Sequence, residues 1–167
     1  MHFGFSYMGL LFLIMLMVPN ILWTKNKPAD YDKYVVNENK LLLLLERIGE
    51  VAVSCIALVF SDFNLQGFSV WEIWLLAAWI LMFLYEVYWV RYFKSAKTMQ
   101  DFYSSLLGVP VAGAALPVAA FFLLGIYGGN LLMIVAVLVL GIGHIGIHLE
   151  HKREITDTRR KTDEFNH

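Results

Sequence analysis

Apolar residues gather into five long runs separated by short polar stretches, about 3–23, 41–60, 70–92, 106–126 and 130–149. Each is long enough to cross a hydrocarbon core as a helix of about 20 residues. The pattern predicts an all-α protein, a polytopic integral membrane bundle of five transmembrane helices. Residues 1–155 form a single transmembrane domain, and 156–167 a polar tail expected to fray. No stretch between the runs is long enough to fold separately. The longest, from Thr24 to Lys40, carries Pro28 and mixed charge, with Tyr31 and Tyr34 as interfacial anchors. The first run reads as an uncleaved span, because Met1 to Tyr7 has no basic segment and no small-x-small site follows Val18.

Charge orients the bundle. All 13 Lys and Arg residues fall in the first connection and the helix start after it, in the third connection, or in the tail. The second and fourth connections have none. By the positive-inside rule the first and third loops and the C-terminus are cytoplasmic and the N-terminus lies outside, as an odd number of spans requires. A multi-pass protein of the cell (inner) membrane is expected. Composition agrees: 59% of residues are hydrophobic, above the roughly 45–50% of soluble domains. The net charge of -1 gives no hint of nucleic acid. The single cysteine, Cys55, sits in an apolar run, which rules out an internal disulfide framework and suggests a buried thiol.

Two runs contain helix-disturbing residues. The fourth holds Pro110 and Pro117 with Gly108 and Gly113, so a kink is expected there, and Pro19 and Asn20 sit near the cytoplasmic end of the first. Tight packing accounts for these features; a ligand cleft is the sharper alternative. No internal repeat occurs, which removes the inverted-repeat argument for a secondary transporter.

Ionisable groups inside apolar spans are the sharpest functional signal, since they are costly in lipid and usually face a bundle interior. In the second run Glu46, Glu50 and Ser54 recur every four residues, with Arg47 adjacent. The third has Glu86 among Tyr85, Tyr88 and Trp89, followed by Arg91. The fifth has His144, His148 and His151 on one helical face. At 1.5 Å per residue Glu46, Glu86 and His144 each lie roughly 8–9 Å inside the cytoplasmic boundary, with Glu50 deeper at about 15 Å. If these faces converge, the second, third and fifth spans form a polar cavity open to the cytoplasm.

Three chemistries suit such a cavity. His144, His148, Glu46 and Glu86 are candidate ligands for a divalent transition metal, in the manner of helical-bundle metalloproteins. Glu50, Glu86 and His144 are candidate acid–base groups of an intramembrane enzyme acting on a lipid-like substrate, with Arg47, Arg91 and Tyr85 as ligand-binding residues. The same carboxylates and imidazoles would also serve a proton- or cation-coupled transporter. No nucleophile motif selects the enzyme. The expected role is therefore binding of a metal ion or a small amphipathic ligand, with membrane lipids as the surrounding partners. Trp79 and Tyr85 lie deep enough to line a pocket; Trp71, Trp74, Trp89 and Tyr92 fit interfacial belts.

In span number, length and tryptophan content the chain resembles the tryptophan-rich sensory or translocator proteins, small five-helix tetrapyrrole and sterol binders. It lacks their Trp-x-Pro-x-Phe type signature, so no residue role transfers. The five-span methyltransferases are similar in outline too, without their Arg-His-Pro element.

Overall fold

The computed structural model describes every residue except Asp30, Val36, Asn37, Phe68, Asn166 and His167, and omits the side chains of Tyr34, Val35, Arg159 and residues 161–165. The anchor expected at Tyr34 lies outside this set. The described residues are 76% helical, with no strand. In order they form α1 (Tyr7–Thr24), α2 (Tyr31–Val35), α3 (Lys40–Val59), a 3-10 turn (Ser61–Phe63), α4 (Glu72–Lys94), α5 (Met99–Phe102), α6 (Ala112–Tyr127) and α7 (Leu131–Phe165).

Local chemistry explains where several helices begin. Ser6 Oγ accepts the Gly9 N–H at 2.9 Å, and Asn39 Oδ1 accepts the Leu41 N–H at 2.9 Å, each satisfying a donor that the first turn leaves open. Thr98 and Asp101 form a reciprocal capping box on α5.

Three helices are long and apolar enough to cross a membrane: α1, α4 and the Leu131–Thr158 part of α7. The shorter α6 is apolar as well. Length and apolarity thus support three spans plus this fourth apolar helix. The two remaining expected spans fall short for identifiable reasons. α3 has 20 residues but carries Glu46, Arg47 and Glu50. In the fourth run residues 106–111 are apolar but not helical: Leu106 and Val109 pair across a turn, and Leu107, Gly108 and Val111 have positive φ. Pro110 consequently precedes α6, and only Pro117 lies within it. At the other end of the chain α7 continues through the tail expected to fray, so the onset of charge at Lys152 does not stop the helix.

The core is made where α1, α4, α6 and α7 meet, with Phe12, Ala78, Met82, Leu124 and Met133 fully inaccessible. Two glycines set the position of α3 on α7. A Cβ at Gly143 would lie 2.4 Å from the Glu46 nitrogen, and one at Gly49 would lie 2.5 Å from Leu140 Cα. The two backbones therefore touch at both crossings, as small residues permit between membrane helices. This approach brings Glu46 beside the His144 turn of α7.

The helix termini form two chemically distinct ends. At one, Tyr92 Oη donates to the Asn26 carbonyl at 2.6 Å and Lys97 Nζ to Asn26 Oδ1 at 2.7 Å, joining the ends of α1 and α4. At the other, Asn64 Oδ1 accepts the Tyr7 N–H at 2.9 Å, and Trp71 Nε1 donates to the Tyr127 carbonyl at 2.8 Å.

Candidate functional site

The chemistry collects where α7 passes α3 and the loop around α5. His144, His148 and His151 come from successive turns of α7 and keep the shared face their spacing implies. Glu46 approaches across the glycine crossing, and His144 Nδ1 lies 2.5 Å from its Oε1. One turn further, the His148 ring stacks edgewise on His144 at 4.6 Å. After the next turn His151, 3% exposed, sits between Tyr103 Oη at 2.8 Å from Nδ1 and Glu38 Oε1 at 3.2 Å from Nε2.

Glu46 constrains the tautomer of one ring. With Glu46 ionised, His144 carries its proton on Nδ1 and leaves Nε2 as an acceptor. The Glu38 carboxylate faces His151 Nε2 at ion-pair distance, and the Tyr103 hydroxyl shares a hydrogen bond with its Nδ1. His148 makes no hydrogen bond among the described residues; its contacts are the rings of His144, Phe102 at 6.0 Å and Tyr103 at 5.6 Å.

An aromatic wall encloses this row. Phe102 stacks on Trp23 at 5.5 Å, and Trp23 meets the edge of Tyr31 at 4.8 Å. Tyr31 in turn reaches His151 at 6.3 Å. Lys27 Nζ lies 5.2 Å from the Trp23 ring centre and 5.6 Å from that of Tyr31, a cation–π arrangement at the rim. Tyr88 Oη anchors the wall from α4 by donating to the Phe102 carbonyl.

Burial and like charge tune the loop groups. Burial first, then the nearby Glu46 carboxylate, raises Glu38 above the ordinary carboxyl range, with Arg47 opposing. Burial, reinforced by Glu38 and Glu46, pushes the Tyr31 hydroxyl up to about 12. Tyr103 is raised as well, by burial first and then by its tyrosine neighbours. Both phenols are therefore neutral donors at physiological pH.

The structure separates the residues that the sequence placed in one layer. Glu46, His144 and His148 come together. Glu50 instead pairs with Arg47 at 3.1 Å on the outward face of α3, where Arg47 is 74% exposed. Arg91 is bound by the Ser104 hydroxyl and carbonyl and by the Ser105 carbonyl, which fixes the α4 end to the following loop. Tyr85 is held by Asn20 Nδ2 at 2.9 Å. Among the described residues Glu86 Oε1 is fully buried without a hydrogen-bond partner.

The expected metal set finds no support in this arrangement. Among the described residues no group of three or more His, Cys, Asp or Glu side chains is placed to hold an ion. His144 spends Nδ1 on Glu46, and among the described residues no hydrogen bond or ion pair joins Glu86 to the imidazoles. The Cys55 thiol is corrected: it is exposed. Trp89 and Tyr92, expected in an interfacial belt, are buried in the aromatic wall.

Sequence reasoning passed over Glu38 and Tyr103, and placed His151 on the shared face by its i, i+7 spacing from His144 without counting it among the site residues. Nothing in spacing marks Glu38 or Tyr103, which enter from loops.

A cavity of about 490 Å³ opens at the opposite end between His2, Asp62, Gln66, Trp71 and Tyr127. Several of its polar groups already bond each other: Asp62 accepts from the His2 N–H at 2.7 Å, and Gln66 Nε2 donates to the Asp62 carbonyl at 2.6 Å. The imidazole row differs in offering an unengaged ring.

No protein-family model, curated protein or solved structure matches the chain.

Proposed function

We propose that this is a five-span protein of the cell (inner) membrane, N-terminus outside and C-terminus cytoplasmic, that binds a small amphipathic ligand through the imidazole row at its cytoplasmic end. The end that carries the row also carries Lys25, Lys27, Lys40, Arg91, Lys94 and Lys97, while the opposite connections hold no Lys or Arg. That asymmetry supports the orientation. α7, roughly 52 Å long at 1.5 Å per residue, outruns a hydrocarbon core of about 30 Å, which suits a row of polar groups lying across the headgroup boundary.

One observation carries the binding reading. His148 is partly buried among aromatic rings yet has no hydrogen-bond partner among the described residues, while its neighbours on either side are each engaged by a carboxylate. The His148 ring nitrogens are not sealed off, so they remain available to bond a partner. A ligand's polar end would bond His148, and its apolar body would lie on Phe102 and Trp23.

The test is mass spectrometry of small molecules retained by the protein purified from its own membrane, beside His148→Phe. The variant keeps an aromatic ring and removes both ring nitrogens. A species present with the wild type and lost from a folded His148→Phe supports the reading. Equal retention by both proteins, or none above a detergent blank, overturns it.

An acid–base enzyme is the second reading, favoured by the Glu46–His144 pair: a carboxylate on Nδ1 orients the ring and leaves Nε2 to take a proton. Glu46→Gln would then retain ligand while losing turnover of it. Binding alone predicts no turnover in either protein.

A further inference from the structure

The least expected charge placement lies outside the site, on the outward face of α3. Arg47 and Glu50 pair at 3.1 Å with side chains 74% and 43% exposed. Around them Leu44, Ile48 and Val51 are 55%, 53% and 66% exposed, and Cys55 is exposed as well. The face away from α7 is therefore an apolar surface crossed by one Arg and one Glu, about 10 and 15 Å along the helix from Lys40 at 1.5 Å per residue. Charges at that depth normally face a protein partner rather than lipid.

The spacing of this face has the form of a helix seam. Leu44, Arg47, Val51 and Ser54 recur at intervals of 3, 4 and 3, the repeat of two helices packed side by side. Glu50 flanks the seam.

We infer that this face is the contact between two copies of the chain, with Arg47 of each copy paired to Glu50 of the other. Self-complementary charge selects the occupant. Two copies inserted in one orientation are related by a two-fold axis along the membrane normal, so equal residues lie at equal depth. Arg47 and Glu50 differ in depth by only about 4.5 Å, within the reach of an arginine side chain. The pair thus carries both halves of its own partner's complement, and two copies bury four charges as alternating neighbours. The inference rests on the reading of α3 as a span.

Cys55, the only cysteine in the chain, provides the readout without an engineered probe. Full-length protein in bilayers of its own lipids, treated with a flexible bis-maleimide, is expected to give a cross-linked dimer. Arg47→Glu and Glu50→Arg each place like charges across the seam and should lower the dimer yield by about tenfold or more. Co-expressed with different tags, the two variants should cross-link to each other and restore the yield, since one copy is doubly acidic there and the other doubly basic. Repair of the pair within one helix cannot produce that rescue, because neither variant regains its own pair.

Absence of dimer in the wild type, or failure of the two variants to rescue each other, would overturn the inference. So would cross-linking of Cys55 to a different protein. Rapid labelling of Cys55 by a membrane-impermeant maleimide would overturn the span reading of α3 together with the dimer. A protected Cys55 with no cross-link would overturn the dimer alone.

Discussion

Each end of the bundle holds a carboxylate beside a histidine, Asp62 buried and Glu38 partly buried, and the two are treated in opposite ways. At the end without Lys or Arg, Asp62 is surrounded by donors: the His2 N–H at 2.7 Å and the His2 ring at 2.7 Å. Burial alone would raise its pKa, but these hydrogen bonds outweigh it and hold Asp62 below its ordinary value of 3.8. At the basic end Glu38 has one imidazole and a second carboxylate, Glu46, nearby, and its pKa moves up. The first arrangement spends its polar groups on closing the fold. The second leaves charge poorly compensated and one imidazole unengaged, an imbalance that a ligand or a transferable proton would relieve.

The comparison can be broken most severely at the helix crossing that creates the basic-end site. Gly143→Ala puts a Cβ 2.4 Å from the backbone nitrogen of Glu46, and backbone cannot yield without separating α3 from α7. A loss of about 3 kcal/mol is expected, with the Glu46–His144 bond lost as well. At the other end Gly128→Ala meets the buried Phe63 ring at 2.6 Å, a side chain rather than backbone, so a smaller loss of about 1–2 kcal/mol is expected. Thermal unfolding of both variants in detergent checks this. Similar losses at the two ends would remove the special role assigned to the α3–α7 contact.

Why the sequence revealed part of this site follows from geometry. Glu46 and His144 were legible because depth along a helix is set by residue count, and the two share a depth. Glu50 was misplaced because an i, i+4 stripe drifts about 40° per step at 100° per residue. That drift carries Glu50 to the flank of α3, where it meets Arg47. Cys55 erred for a related reason: a continuous apolar run does not say which face meets lipid and which meets protein. The start of α6 was misjudged because hydropathy measures apolarity and not helicity, and residues 106–111 are apolar while forming a turn. Glu38 and Tyr103 were invisible because loop residues reach the site through tertiary contacts that carry no period.

A smaller effect separates the two carboxylates directly. Asp62→Asn replaces a charged acceptor of two hydrogen bonds by a neutral one and should cost about 1.5 kcal/mol at neutral pH. Glu38→Gln should not destabilise the protein there, since the folded state already disfavours the ionised form of Glu38. Destabilisation of both variants by equal amounts at pH 7 would mean that the two ends use their carboxylates alike.

The smallest effect is the most discriminating, because its sign differs between the ends. Asp62 has a lowered folded pKa, so its contribution is present above the unfolded value and is lost as pH falls through the folded one. Glu38 has a raised folded pKa, so stability is greatest below its ordinary value of 4.5 and declines as pH rises through the folded value. The wild type should therefore lose stability on both sides of a mildly acidic optimum. Glu38→Gln should remove the decline on the alkaline side, gaining under about 1 kcal/mol at pH 7 and nothing in acid, while leaving the acid limb intact. Asp62→Asn should flatten the acid limb alone. Melting temperature against pH for the three proteins tests the assignment; if Glu38→Gln flattened the acid limb instead, Glu38 would be a stabilising ion-pair partner of His151, and the imbalance attributed to the basic end would not exist.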